Sequence, residues 1–98
     1  MTDLRVVALV PARSGSEDVV RDVLSTLAQA TLQHQGCLGY DLFESAAAPG
    51  VFVTVETWSG QADLDAHLQT DDVATAVAAA TDHLAGDIAV HPLRPVER

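Results

Sequence analysis

Residues 51–68 of this chain read VFVTVETWSGQADLDAHL, and this segment decides the fold. Its first part alternates between two faces and is rich in β-branched and aromatic side chains, which is typical of a β-strand. The Ser-Gly pair at 59–60 breaks the alternation and offers an N-cap for a helix. Leu64 and Leu68 share one face of that helix because they are four residues apart, and His67 lies beside them. The segment therefore predicts a strand that leads directly into a helix.

This strand and helix bring three chemically distinctive side chains toward one edge of the sheet. Glu56 and Trp58 share a strand face because side chains alternate along a strand. His67 follows about two and a half turns into the helix. An acid, an indole and an imidazole in this arrangement are consistent with a functional site, and also with a capped and packed corner.

The composition predicts one domain with an extra apolar surface. Ninety-eight residues leave no room for a second domain. The hydrophobic fraction of 48% is high for this length, and aromatic residues make up only 4%, so Ala, Val and Leu must fill the core. This surplus of apolar residues indicates a buried interface between subunits.

The net charge argues against two classes of partner, and the single cysteine limits the possible disulfides and metal sites. Fourteen acidic residues and five basic ones give a net charge of -9, which repels phosphate backbones and anionic lipid headgroups. We therefore expect no nucleic-acid and no membrane partner. Cys37 is the only cysteine, so an intrachain disulfide and a Cys-based zinc cluster are both excluded, and a reducing, cytoplasmic location is expected.

The order of elements predicts a ferredoxin-like α+β fold over residues 1–98. The first helix is expected to begin at a cap formed by Ser14 or Ser16 and to run to about His34. Thr70 is expected to split the second helical region and to cap a third helix. Strands are expected at residues 4–10, 37–45, 51–58 and 88–93. This β-α-β-β-α-β order folds as an antiparallel sheet with helices on one face.

The two faces of this sheet are both expected to be apolar. In the strand at 37–45, Phe43 falls on the opposite face from four side chains, Leu38, Tyr40, Leu42 and Glu44. The other strands carry apolar residues on both sides, so the face without helices needs a cover. A second copy related by a two-fold axis is the simplest one, which predicts a homodimeric α+β barrel with a small pocket in each subunit.

Three phrases of the sequence resemble the antibiotic biosynthesis monooxygenase family. They are GCLGYDLF at 36–43, FVTVETW at 52–58 and LDAHL at 64–68, and they follow the family's order and spacing over nearly the whole chain. The resemblance implies the same dimeric α+β barrel. It also implies oxygen insertion into an electron-rich phenol or quinol without flavin, haem or metal, in which the deprotonated substrate itself gives an electron to O2. The family also includes quinol oxidases and haem-degrading members, so several reactions stay open.

Comparison with that family pattern argues against haem. Haem-degrading members carry an axial histidine on the third helix, where this chain has Val77, and His83 lies at a different helical phase. Many relatives also have a histidine where this chain has Asp72, and several have an asparagine on the first strand, where residues 6–9 are apolar. The resemblance therefore implies a sparser polar site than usual.

His67 is the candidate catalytic base, since an imidazole suits proton removal near neutral pH. The alternative is a helix-face histidine that is satisfied by a neighbouring carbonyl group. Glu56 is a candidate for orienting His67 or a substrate hydroxyl, and the alternative is an ion pair with Arg5 or Arg94. No metal-ligand spacing and no glycine-rich phosphate loop is present.

Trp58, Tyr40 and Phe43 are candidates for the walls of a substrate pocket. Asp72 is a further candidate for substrate binding, although a carboxylate in the first turn of a helix also complements the helix dipole. The remaining histidines near element ends, His34 and His91, are expected to be solvated.

Together with these candidate residues, the resemblance implies a cofactor-independent monooxygenase or quinol oxidase that acts with O2 on a planar phenol or hydroquinone. The alternative is a dimeric module without catalytic activity, which binds a small ligand or has a structural role.

Overall fold

The structure is a computed structural model that describes residues 3–97. Four strands form one antiparallel sheet in the order β2-β3-β1-β4, and the helices pack on one face of it. The elements are β1 (Leu4–Pro11), α1 (Glu17–Thr31), β2 (Cys37–Glu44), β3 (Val51–Trp58), α2 (Gln61–Leu68), α3 (Asp71–Ala80) and β4 (Ala89–Pro92), with a 3-10 turn at Thr81–His83. The expected ferredoxin-like α+β fold is confirmed. None of the helices in residues 3–97 is both long and apolar enough to cross a bilayer.

The central strand β3 shows why this sequence forms this sheet. Its residues alternate between buried and half-buried along the whole strand, as the period of two predicts. The buried face packs under the helices in two clusters. One contains Val10, Val20, Leu24 and Phe52, and the other contains Val6, Tyr40, Trp58 and Leu64.

A β-bulge at the start of β2 changes the predicted face of one residue. Cys37 pairs with Trp58 and Gly39 pairs with Thr57, so Leu38 is the extra residue between them. Leu38 is 57% exposed, and the prediction that it shares a face with Tyr40 is wrong. The bulge resets the alternation, and Tyr40 itself is buried on the helix-covered face.

The helix ends follow the local signals only in part. Thr70 caps α3 as predicted, because its Oγ1 accepts a hydrogen bond from the N–H of Val73 at 3.3 Å. At the start of α1 the Ser16 side chain makes no capping hydrogen bond, and the Glu17 carboxylate accepts from the N–H of Gly15 instead. The helix α1 ends at Thr31, and turns lead from there to Gly36.

The second face of the sheet lies away from the helices and is apolar at its centre, although Arg5, Asp41 and His91 also lie on it. It is formed by the residues of β1, β2 and β3 that alternate with the buried ones, including Val7, Leu9, Phe43, Val53 and Val55. Phe43 is 55% exposed there. Large exposed apolar surfaces on soluble domains mark interaction sites.

We predict that Gly36→Ala destabilises the fold more than Gly15→Ala. Both glycines have a positive φ, near +79° and +91°, which costs an L-residue about 1–2 kcal/mol. A Cβ atom at Gly36 would also overlap the Asp63 side chain, whereas a Cβ atom at Gly15 meets nothing within 4 Å. Urea unfolding of the two variants measures the difference, and equal losses would show that Asp63 moves aside freely.

Candidate active site

A cavity of about 270 Å³ lies between the sheet and the helices, with walls from all four strands and all three helices. Most of its lining is aliphatic. Four polar side chains reach it from β2, β3 and α2, and these are Tyr40, Thr54, Glu56 and His67. An apolar cavity with a few convergent polar groups is the usual form of a small-molecule site.

The imidazole of His67 is held in this cavity by α2 and by the aromatic rings beneath it. His67 is 5% exposed, and its ring centroid lies 4.7 Å from that of Trp58 and 6.0 Å from that of Tyr40. Burial is the main cause that lowers the pKa of His67 to about 4; the neighbouring His34 adds to this lowering, and the Asp72 carboxylate opposes it. His67 is therefore neutral at ordinary pH.

A chain of two hydrogen bonds joins His67 to the protein surface. The Nδ1 atoms of His67 and His34 are 2.9 Å apart, and Nε2 of His34 lies 2.8 Å from Oδ2 of Asp72. The prediction that His34 is solvated is wrong, because only 13% of its side chain is exposed. No periodic pattern in the sequence could have found this contact, since His34 lies in the turns after α1 and its partners are far along the chain.

The other ring nitrogen of His67 has no hydrogen-bond partner among residues 3–97. Every fully buried side-chain nitrogen or oxygen in residues 3–97 has a hydrogen-bond partner, yet Nε2 of His67 bonds to none of these residues. Nε2 is therefore not fully buried, and the His67 side chain lines the cavity. The alternative in which a backbone carbonyl satisfies the His67 ring does not hold for the described residues.

Glu56 is buried without an arginine. Its Oε2 accepts from the hydroxyl of Thr54 at 2.6 Å, and its Oε1 accepts from the indole N–H of Trp58 at 2.9 Å. The expected ion pair with Arg5 or Arg94 is therefore wrong, and Glu56 does not bond to His67, whose Nδ1 lies next to His34 instead. The role of Glu56 toward a substrate hydroxyl stays a prediction. Each carboxylate oxygen keeps a lone pair that a ligand hydroxyl can use.

The aromatic candidates occupy three different positions. Tyr40 lines the cavity, and burial followed by the charge of Glu56 raises the pKa of its phenol, so Tyr40 stays a hydrogen-bond donor. Trp58 is fully buried and supports the His67 ring from behind instead of forming the cavity wall. Phe43 lies on the opposite face of the sheet, and the expectation that it forms a pocket wall does not fit its position.

Asp72 also lies outside the cavity. Its carboxylate is 53% exposed in a groove between α1 and α3, and it contacts His34. Within residues 3–97, no three His, Cys, Asp or Glu side chains are grouped so that they could share a metal ion. Val77 lines the cavity at the position that the family pattern gives to a haem ligand, and His83 bonds to Ser16.

The protein is thus a small α+β protein with a ferredoxin-like sheet and a buried imidazole in an apolar cavity. Its similarity to known proteins gives the family. Residues 3–79 match the family model described as antibiotic biosynthesis monooxygenase. The chain belongs to the antibiotic biosynthesis monooxygenase family.

Solved structures agree with this assignment. A crystal structure of an antibiotic biosynthesis monooxygenase is 32% identical, with 96% of this chain and 99% of that chain covered and a TM-score of 0.88. A structure from Mycobacterium tuberculosis is 27% identical, covering 99% and 98% of the two chains, with a TM-score of 0.88. A third, from Caulobacter crescentus, is 28% identical, covering 97% and 91%, with a TM-score of 0.85. No curated protein matches the sequence.

We predict that His67 stays neutral down to about pH 4 and that His34→Gln raises its midpoint, because the substitution removes the electrostatic interaction by which His34 lowers the pKa of His67. NMR titration of the imidazole signals measures both midpoints. His83→Gln serves as the control, since His83 bonds to Ser16 and takes no part in this chain of histidines. A midpoint for His67 near its ordinary 6.5 would contradict the described burial.

Proposed function

We propose that this protein is a cofactor-independent monooxygenase or quinol oxidase that acts on a planar phenol or hydroquinone. The observation that carries the proposal is that His67 lines an apolar cavity while its Nε2 bonds to none of the residues 3–97. A neutral imidazole in this position can take the proton of a bound hydroxyl group. Membership of the antibiotic biosynthesis monooxygenase family supports this class of reaction.

Both candidate reactions begin with the same step. His67 takes the proton from the substrate hydroxyl, and the resulting anion is electron-rich enough to give one electron to O2. In the monooxygenase the two radicals then combine to form a C–O bond, and the O–O bond breaks. One oxygen atom becomes a carbonyl oxygen of the quinone product, and the other leaves as water with the hydroxyl proton and the hydrogen of the attacked ring carbon. In the quinol oxidase a second electron and proton follow, so that the hydroquinone becomes a quinone and O2 becomes hydrogen peroxide.

The polar groups of the cavity suit a ligand with hydroxyl groups on a flat ring. Tyr40 can donate a hydrogen bond to the developing oxyanion, and Glu56 can accept one from a second hydroxyl. The aliphatic walls exclude water and favour an apolar ring system. A volume of about 270 Å³ restricts the site to a small ligand.

We also propose that two copies pair through the open face of the sheet. That face carries Val7, Leu9, Val53, Val55 and Phe43, and burying it removes apolar surface from water. An interface between matching faces of two copies obeys a two-fold axis.

A second candidate function is ligand binding without turnover. It is favoured by the lining of the cavity, in which twelve of the sixteen side chains are aliphatic. An aliphatic lining is sufficient to bind a flat apolar molecule and does not by itself require a reaction.

We predict that His67→Ala lowers oxygen consumption with a hydroquinone by roughly 10²–10⁴-fold, the usual contribution of a general base. His67→Gln should be nearly as inactive, because an amide keeps hydrogen bonding but does not take up a proton. An oxygen electrode measures both variants. Full activity in His67→Gln would exclude His67 as the base, and saturable binding without oxygen consumption in the wild type would favour the binding module.

We predict a dimer that Phe43→Asp weakens and Leu32→Asp leaves intact. The two side chains are exposed to a similar extent, 55% and 53%, but Phe43 lies on the open sheet face and Leu32 follows α1 on the covered side. A stable interface should bury at least roughly 1,200 Å². Sedimentation velocity at several concentrations measures the state of association. A wild-type monomer, or equal effects of the two variants, would contradict this interface.

A further inference from the structure

We propose that Asp72, His34 and His67 form a proton relay that keeps Nε2 of His67 unprotonated and carries a ligand's hydroxyl proton to the groove between α1 and α3. The relay extends the function proposed above, because it supplies the route by which the proton leaves the cavity. Its two hydrogen bonds measure 2.8 and 2.9 Å, and they run from an exposed carboxylate through a half-buried imidazole to a buried one.

The direction of these hydrogen bonds fixes the tautomer of each ring. An ionised carboxylate only accepts, so Nε2 of His34 carries the proton that points at Asp72. A neutral His34 then has a lone pair on Nδ1, and Nδ1 of His67 must donate to it. The single proton of His67 is thereby held on Nδ1, which leaves Nε2 as a base.

Proton removal is then a transfer across two rings. The O–H bond of the ligand breaks and an N–H bond forms at Nε2 of His67. The Nδ1–H bond of His67 breaks in turn, and an N–H bond forms at Nδ1 of His34. The ligand becomes an anion, His67 returns to neutrality with its proton on Nε2, and the positive charge lies on His34.

The surroundings favour the charge on His34 over His67. An imidazolium at His67 would be almost completely removed from water, whereas His34 contacts a carboxylate that is 53% exposed. In its second state, His67 carries a proton on the nitrogen next to the cavity. It can return that proton to an oxygen anion formed later in the reaction.

The titratable groups around the two imidazoles are the same in the wild type and in His34→Gln. They come from β2, β3 and α3, and they are Cys37, Tyr40, Glu56 and Asp72. Apart from Asp72, none of these side chains is hydrogen-bonded to His34 or His67 within residues 3–97. Their influence therefore cancels when variants of His34 are compared.

The first test needs no oxidation. Imidazole ¹⁵N NMR of the wild type should show His67 protonated on Nδ1, and binding of 4-nitrophenol should produce the phenolate absorption at a pH where the free phenol is protonated. His34→Gln and Asp72→Asn should both lower the ionised fraction of the bound phenol. The Asp72 variant tests an exposed position, which keeps the test open if the His34 variant does not fold.

Two matched controls separate the relay from general effects. Asp71→Asn removes the neighbouring carboxylate on α3, and His83→Gln removes an imidazole that also has a hydrogen-bond partner. His83 lies near the start of α1 and His34 beyond its end, about 22 Å apart along a helix of 15 residues. Both controls should ionise 4-nitrophenol like the wild type. A proton on Nε2 of His67 in the free wild type, or equal ionisation in wild type and His34→Gln, would overturn the relay.

Oxygen consumption with a hydroquinone gives an independent readout. His34→Gln should lower kcat by roughly 10–100-fold, as for other partners that hold a functional imidazole, and should leave KM unchanged because His34 does not line the cavity. Turnover that is unaffected by this variant would overturn the relay and leave the proposed function intact. Ionisation of 4-nitrophenol without any oxygen consumption would support the relay and contradict the proposed oxidation.

The direction of the change in His34→Gln separates a relay from an electrostatic effect. Charge alone predicts that removing His34 raises the pKa of His67, which makes His67 a stronger base and increases the ionised fraction of bound 4-nitrophenol. The relay predicts a smaller ionised fraction, because the proton acceptor beyond His67 is gone. A larger ionised fraction in His34→Gln than in the wild type would overturn the relay.

Discussion

The buried carboxylate of Glu56 on the central strand is the constraint on which the site depends. A buried polar group without partners destabilises a fold, so Glu56 requires two donors. Thr54 and Trp58 provide them from positions two residues before and after it, on the same face of β3. The alternation of side chains along β3 that buries Glu56 therefore also places its two hydrogen-bond donors on the same face. It fixes the Trp58 indole against which His67 packs.

The fold could be predicted from the sequence because its signals are local. The alternation in β3, the cap at Thr70 and the break at 59–60 each depend on neighbouring residues, and the structure follows them. The bulge that exposes Leu38 depends on how β2 pairs with β3. A sequence pattern with a period of two carries no information about that pairing. The role of His34 depends on contacts 33 and 38 residues away. His67 and Glu56 were found at the cavity because they lie on regular elements, and their partners were missed because those come from tertiary contacts.

The same burial that keeps His67 neutral makes it a weak base by itself. A phenol has a pKa near that of tyrosine, about 10. The pKa of His67 is lowered to about 4, and this gap of about six units corresponds to about 8 kcal/mol against direct proton transfer. A lone buried histidine would therefore ionise little of a bound phenol. Passing the proton to His34 and donating a hydrogen bond from Tyr40 to the anion both act against this unfavourable difference.

The positions of Glu56 and Asp72 explain why the proton is passed from His67 to His34. If Glu56 bonded directly to His67, its negative charge would favour an imidazolium inside the cavity, and the proton would stay beside the anion from which it came. Glu56 is instead satisfied by Thr54 and Trp58, while the carboxylate that attracts the proton is Asp72 at the surface. Charge separation then takes place across the Asp72–His34–His67 chain, and the cavity itself has to accommodate only the ligand's anion.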